Sequence, residues 1–196
     1  MKTYLGETGG DLIAITLGLG YVAGLAITVM LLSVALGIQL SLTRFHAVAF
    51  WTAIVGTTSV GTEMSDLMDR TLHLGYPIGA LILVTALVAV LLCWRRHEGR
   101  IRVHPILARS EELFYWGAIL LSNSLGTAFG DFLSDTLGMG YLAGAAASAG
   151  VIIIVLVLHY ATRLNRVLLF WLAFVFTRPF GATFGDLLTK PATSGG

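Results

Sequence analysis

The sequence predicts an all-α polytopic membrane protein made of parallel two-helix repeats, with about six transmembrane crossings and an N-terminal half-helix. Three observations predict it. Of 196 residues, 56% are apolar and only 12% are charged, and the mean hydropathy is +0.84, whereas a soluble domain carries roughly a quarter charged residues. The charges gather in a few clusters separated by apolar runs about one bilayer long. A short motif of small residues and aspartate recurs four times at regular spacing. So little polar surface excludes an ordinary soluble fold, and so much apolar surface excludes disorder. Residues 1–196 read as one transmembrane domain.

The elements follow in chain order. Residues 3–17 form a stub, too short to cross as a helix. Uncharged runs at 21–43, 75–94 and 140–162 are long enough for a hydrocarbon core of about 30 Å at ~1.5 Å per residue; these are the b helices. Segments 45–72, 112–137 and 167–189 begin apolar and end polar; these are the a helices. The chain divides into a partial repeat 1 (1–44), repeat 2 (45–99), repeat 3 (110–163) and a partial repeat 4 (164–196).

A net charge of +1 conceals a sorting by sign. Arg44, Arg95, Arg96, Arg100, Arg102, Arg109, Arg163 and Arg166 lie in three short segments between apolar runs, while Glu7, Asp11, Glu63, Asp66, Asp69, Asp131, Asp135 and Asp186 lie in Gly-rich stretches. Short basic loops beside spans follow the positive-inside rule, which places them in the cytoplasm and accounts for the arginines without nucleic acid. The expected location is the inner (cytoplasmic) membrane, multi-pass. Each a helix then runs outward, each b helix returns, and the Gly-Tyr turns at Gly75-Tyr76 and Gly140-Tyr141 lie outside. The single cysteine, Cys93, excludes an internal disulfide and a cysteine-based zinc site and is expected to pack. No cleavable signal peptide is visible ahead of Glu7.

The internal repeat carries most of the information. Gly6-Glu-Thr-Gly-Gly10-Asp11 aligns with Gly61-Thr-Glu-Met-Ser65-Asp66, Gly126-Thr-Ala-Phe-Gly130-Asp131 and Gly181-Ala-Thr-Phe-Gly185-Asp186. The four aspartates stand 55, 65 and 55 residues apart. Three copies continue through Thr16, Thr71 or Thr136 to Gly20-Tyr21-x-x-Gly24, Gly75-Tyr76-x-x-Gly79 and Gly140-Tyr141-x-x-Gly144. Trp51, Trp116 and Trp171 each precede their aspartate by fifteen residues, and Trp94 stands outside the pattern.

These marks resemble a family of bacterial inner-membrane proteins built from four tandem repeats of unknown function, each with two membrane segments and a tryptophan, and often described only as membrane-anchored proteins. The resemblance covers nearly the whole chain. It implies a repeat architecture and supplies no activity. The chain departs from a complete four-repeat pattern at the first half of repeat one and the last half of repeat four, so completion by dimerisation into a homo-oligomer is one expectation. Because every repeat contains an outward and an inward crossing, successive copies share one orientation, and equivalent residues are expected at one depth around an axis along the membrane normal. A ring of a helices surrounded by b helices follows.

Glycine at i with a small residue at i+4 lets another backbone approach one helix face, which alone explains Gly126 and Gly130 and their counterparts. The acids need more. Asn123, Thr127, Asp131 and Asp135 stand four apart and form one polar stripe; Thr58, Thr62, Asp66 and Arg70 are equivalent in copy two, Glu7 and Asp11 in copy one, and Arg178, Asp186 and Lys190 in copy four. An ionised carboxylate facing lipid at mid-membrane costs about 2.5–3.5 kcal/mol or more, so these groups are expected to face inward. Asp186 lies twenty residues beyond Arg166, ~30 Å along a straight helix, so reaching the membrane centre requires the helix to break at its glycines.

Converging carboxylates form an oxygen-rich, net negative cavity. The expected ligand set is Glu7, Asp11, Thr62, Glu63, Asp66, Asn123, Thr127, Asp131, Asp135 and Asp186, with Asp11, Asp66, Asp131 and Asp186 on the metal and Arg70, Arg178 and Lys190 as counter-charges. All-oxygen sites suit hard ions such as Mg²⁺, Ca²⁺ or Mn²⁺, and no Cys/His cluster offers a softer site. Neighbouring carboxylates also exchange protons. The function expected is therefore transport of a small hard cation, coupled to protons, across the lipid bilayer, with no cofactor. His73 is expected at the interface, and Met64, Met68 and Met139 in packing.

Two other classes compete. Intramembrane aspartyl proteases use Gly-x-Gly-Asp with a second aspartate, but here only Gly-Asp recurs in three copies, with Ser-Asp in the other; no Ser/His/Asp set, His-x-x-x-His pair or phosphate-cradling loop is present. No enzyme is expected. The alternative is a helical membrane interaction or assembly module without transport activity, which the small-residue faces favour.

Overall fold

The computed structural model describes residues 20–42, 44–101 and 109–189. Six α-helices form there: α1 (Gly20–Ser41), α2 (Ala47–Asp66), α3 (Tyr76–Glu98), α4 (Arg109–Asp131), α5 (Tyr141–Ala161) and α6 (Arg166–Thr189). Among the described residues there is no strand. α1, α3 and α5 are the three uncharged spans, and α2, α4 and α6 are the segments that begin apolar and end polar.

Four helices, α1, α3, α5 and α6, are long and apolar enough to cross a membrane. Their outward faces carry Met30, Leu31 and Val34 on α1, Leu81 and Ile82 on α3, and Ile153, Ile154 and Val157 on α5, all exposed. Exposed apolar residues in continuous stripes on several helices are what lipid contact requires, and the chain is membrane-embedded. α2 and α4 fall short on composition because hydroxyls, an amide and acids occupy their later halves.

Packing follows a rule that runs across the repeat boundary. α1 packs on α2, α3 on α4 and α5 on α6, so each apolar helix lies chiefly against the helix that follows it through a basic loop. α4 also packs on both α2 and α6, which puts it between the other two polar-ended helices. The apolar core lies at this level, with Trp94, Trp116, Ile119 and Trp171 buried together with Ala53, Leu83, Leu87 and Ala118. Trp94 is fully buried and stacks on Phe114 with ring centroids 6.3 Å apart. Met64 and Met68 pack against this core, as expected. Cys93, expected to pack, lies exposed on α3 instead.

Immediately after Asp66 and Asp131 the helix widens into a π turn, at Leu67–Thr71 and Phe132–Thr136 respectively. The two turns close with equivalent bonds: Leu72 N–H donates to Leu67 O (2.9 Å) and Leu74 to Met68 (3.2 Å), while Leu137 donates to Phe132 (3.1 Å) and Met139 to Leu133 (3.0 Å). The glycines that follow then reverse the chain. Gly75 has φ of 75° and Gly138 a φ of 61°, conformations that a Cβ disfavours. Among the described residues the expected break at the motif glycines does not occur: the helix is loosened only after Asp66 and Asp131, and α6 runs unbroken past Gly181 and Gly185 to Thr189, so nothing draws Asp186 toward the membrane centre.

Candidate functional site

The glycines of the motif bring the polar-ended helices together. A Cβ built on Gly61 would meet Asn123 Cβ at 2.9 Å and Ser124 N at 3.0 Å, so α2 touches the α4 backbone there. One repeat later, a Cβ on Gly126 would meet Arg178 Cβ at 2.6 Å and Val175 O at 2.8 Å. Gly61 and Gly126 are equivalent, and so are Asn123 and Arg178. The same joint is therefore used twice. Pro179 lies inside α6 and has no N–H for the carbonyl four residues earlier, which is that of Val175. This freed carbonyl lies against the bare α-carbon side of Gly126.

Behind the joints runs a buried polar seam. Thr57, Thr58, Thr62, Glu63, Ser65 and Asp66 on α2, Ser122, Asn123, Ser124 and Thr127 on α4, and Arg178 on α6 are all buried. Asn123 Nδ2 donates to Thr57 Oγ1 at 3.2 Å, across the first joint. At the equivalent place across the second joint, the longer Arg178 reaches past Ser122, whose hydroxyl has no hydrogen-bond partner among the described residues. Its Nε donates to Thr127 Oγ1 at 3.1 Å, and one terminal nitrogen donates to Thr58 O at 3.3 Å and to Thr62 Oγ1 at 2.5 Å. One guanidinium on α6 thus gathers three oxygens from α4 and α2.

Arg178 is 5% exposed and twelve residues into α6, ~18 Å from the helix start. That is close to the middle of a 30 Å hydrocarbon core. A charge at that depth persists only where oxygens replace its water. Burial of the cation next to hydroxyls and a carbonyl is also the arrangement in which an arginine keeps most of its five donors engaged.

A second polar contact joins α1 to α2. Glu63 is 1% exposed, and its Oε2 lies 2.5 Å from Thr28 Oγ1. Thr28 stands four residues after Gly24 in an otherwise uncharged span, and no spacing argument singled it out. At the other end of the same helix Gln39 Nε2 donates to Glu112 Oε1 (3.1 Å), which also accepts from Trp116 Nε1 (3.3 Å).

Of the expected site residues, Thr62, Glu63, Asp66, Asn123 and Thr127 are buried in or beside the seam, and Asp131 is half-buried at the start of the second π turn. Thr62, Thr127 and Arg178 are brought together directly. The carboxylate of Asp69 faces Gly79 on the following helix, where a Cβ would stand 3.0 Å from Asp69 Oδ1. Glu7, Asp11 and Lys190, and the side chains of Arg70, Asp135 and Asp186, lie outside the described residues. Among the described residues, no three His, Cys, Asp or Glu side chains group to hold a metal ion.

Residues 49–100, 114–165 and 169–195 match the Repeat of Unknown Function (DUF347). The chain belongs to the DUF347 repeat family. Comparisons with curated proteins and with solved structures return no match. Each DUF347 segment contains one polar-ended helix with its tryptophan and motif aspartate, and the first two also contain the following apolar helix. The DUF347 repeat as matched in sequence therefore pairs an a helix with the b helix after it, whereas the b helix that each a helix packs against is the one before it.

Proposed function

We propose that the protein is a transporter of a small hard cation such as Mg²⁺, Ca²⁺ or Mn²⁺, moved in exchange for protons along the seam between the polar-ended helices. The observation that carries this reading is the convergence of Thr62 Oγ1, Thr127 Oγ1 and Thr58 O on one positive charge. Hydroxyl and carbonyl oxygens that solvate a guanidinium are also the ligands a hard cation takes in place of water. In this reading Arg178 is the resident counter-ion: it holds these oxygens when no cation is present and gives them up when one enters. Six crossings, parallel repeats and cytoplasmic basic loops in the inner membrane complete the proposal.

The assembly-module reading is weaker because the glycines of two motif copies, Gly61 and Gly126, are already occupied by Asn123 and Arg178 of the same chain. A vesicle assay separates the two. Purified protein is reconstituted with a trapped metal-sensitive dye and a pH dye, alongside the Asp66→Asn/Asp131→Asn variant. Cation entry with opposite proton movement, lost in the variant at unchanged elution volume, supports transport. Wild-type vesicles that take up Mg²⁺, Ca²⁺ and Mn²⁺ no faster than protein-free ones overturn it.

A further inference from the structure

The contact between Thr28 and Glu63 has more acceptors than hydrogens. Thr28 has one hydroxyl hydrogen, and three oxygens lie within bonding distance of its Oγ1: Gly24 O and Leu25 O at 3.2 Å each, and Glu63 Oε2 at 2.5 Å. A hydroxyl donates once and accepts twice. If Glu63 carries a proton on Oε2, it donates to Thr28 Oγ1, and Thr28 donates in turn to a helix carbonyl. One extra hydrogen then serves both contacts.

The repeat supplies an internal comparison. The positions equivalent to Thr28 and Glu63 are Leu83 and Ala128 one repeat on, and Ser148 and Thr183 after that. Leu83 and Ala128 are both buried in the apolar core, and Gly144 meets Thr183 across the third pair, where a Cβ would stand 3.0 Å from its Cγ2. This fold therefore closes the same joint with a leucine and an alanine. A glutamate is not needed there for packing.

We infer that Glu63 is the proton-exchanging carboxyl of the protein, neutral in the described state through its bond to Thr28 and ionised when a cation enters the seam. The exchange part rests on the transport reading. The proton leaves Oε2 for water in the seam; the Thr28 hydroxyl then turns from its helix carbonyl to donate to the carboxylate, and the negative charge left on Glu63 offsets one positive charge of the incoming ion. The other charged groups near α2 are Asp66 on the same helix, Asp69 and Arg70 on the π turn, Glu111, Glu112 and Asp131 on α4, and Arg178 on α6, which holds the neighbouring Thr62. Described residues of α1 carry no charged side chain.

Infrared spectroscopy of the full-length protein at neutral pH reads the proton directly, and the vesicle assay reads its use. A protonated-carboxyl band is expected in the wild type, absent in Glu63→Gln and shifted toward a weaker hydrogen bond in Thr28→Val. The Thr28→Leu/Glu63→Ala variant, which copies the Leu83 and Ala128 pair, is expected to keep the elution volume and unfolding midpoint of the wild type, so loss of the band is not loss of the fold. In vesicles, wild-type accumulation of Mn²⁺ shifts about tenfold per pH unit of gradient for each proton exchanged, and in Glu63→Gln that response is lost. No Glu63 band, or one that Thr28→Val leaves unmoved, overturns this inference while wild-type cation uptake still stands. A Glu63 band in a protein without cation uptake overturns the transport reading and the exchange step with it, and leaves the neutral carboxyl.

Discussion

Gly126 holds the side-chain stem of Arg178 against the backbone of the central helix: a Cβ at 126 would stand 2.6 Å from Arg178 Cβ and 3.0 Å from its Cγ. The missing side chain of one residue thus sets the course of the other's guanidinium to Thr127 and Thr62. The obstruction is a Cβ and a backbone carbonyl, neither of which swings away as a flexible side-chain tip does.

Gly126→Ala is therefore expected to lower stability by about 1–3 kcal/mol through overpacking, read as an earlier unfolding midpoint in detergent. Gly37→Ala and Gly150→Ala, where nothing lies within 4 Å of the new Cβ, are expected to gain about 0.5–1 kcal/mol from helix propensity. Equal shifts in all three would remove the special status of the joint.

Arg178→Asn tests the equivalence with Asn123. The shorter amide is placed to bond Ser122 Oγ, which has no hydrogen-bond partner among the described residues, as Asn123 bonds Thr57. Arg178→Asn is expected to be more stable than Arg178→Ala by about 1 kcal/mol, one hydrogen bond. Combining each with Ser122→Ala should erase that difference in chemical denaturation.

The chain reversals give a third test. Gly75→Ala forces a Cβ into a φ of 75° with ψ of 149° and is expected to cost about 1–3 kcal/mol. Gly140→Ala, at φ of −61° and with open space around it, is expected to change the midpoint little, although both glycines precede the tyrosine of a Gly-Tyr turn.

Helix limits were legible because charge clusters and apolar runs mark them: the uncharged run at 140–162 became Tyr141–Ala161, and the segment at 167–189 became Arg166–Thr189. The polar stripe of α4 was legible from four-residue spacing. Pairing was not. Short loops join α2 and α4 to apolar neighbours on both sides, so loop length cannot choose between them, and the choice rests on side-chain fit such as Leu32 against Gly56. Arg178 stood out as a cation in the fourth copy of the stripe, but its reach to two helices did not, because that depends on a joint between repeats. Thr28 gave no signal because one hydroxyl in an apolar span is ordinarily satisfied by its own helix.

That each apolar helix packs on the one behind it also orders the events of synthesis. α1 and α3 emerge from the ribosome immediately before α2 and α4, the two helices whose composition is least suited to lipid. A greasy leader is thus already in place when each polar follower arrives, and the buried hydroxyls, amide and glutamate of the follower have a flank to lean on before the remaining neighbours exist.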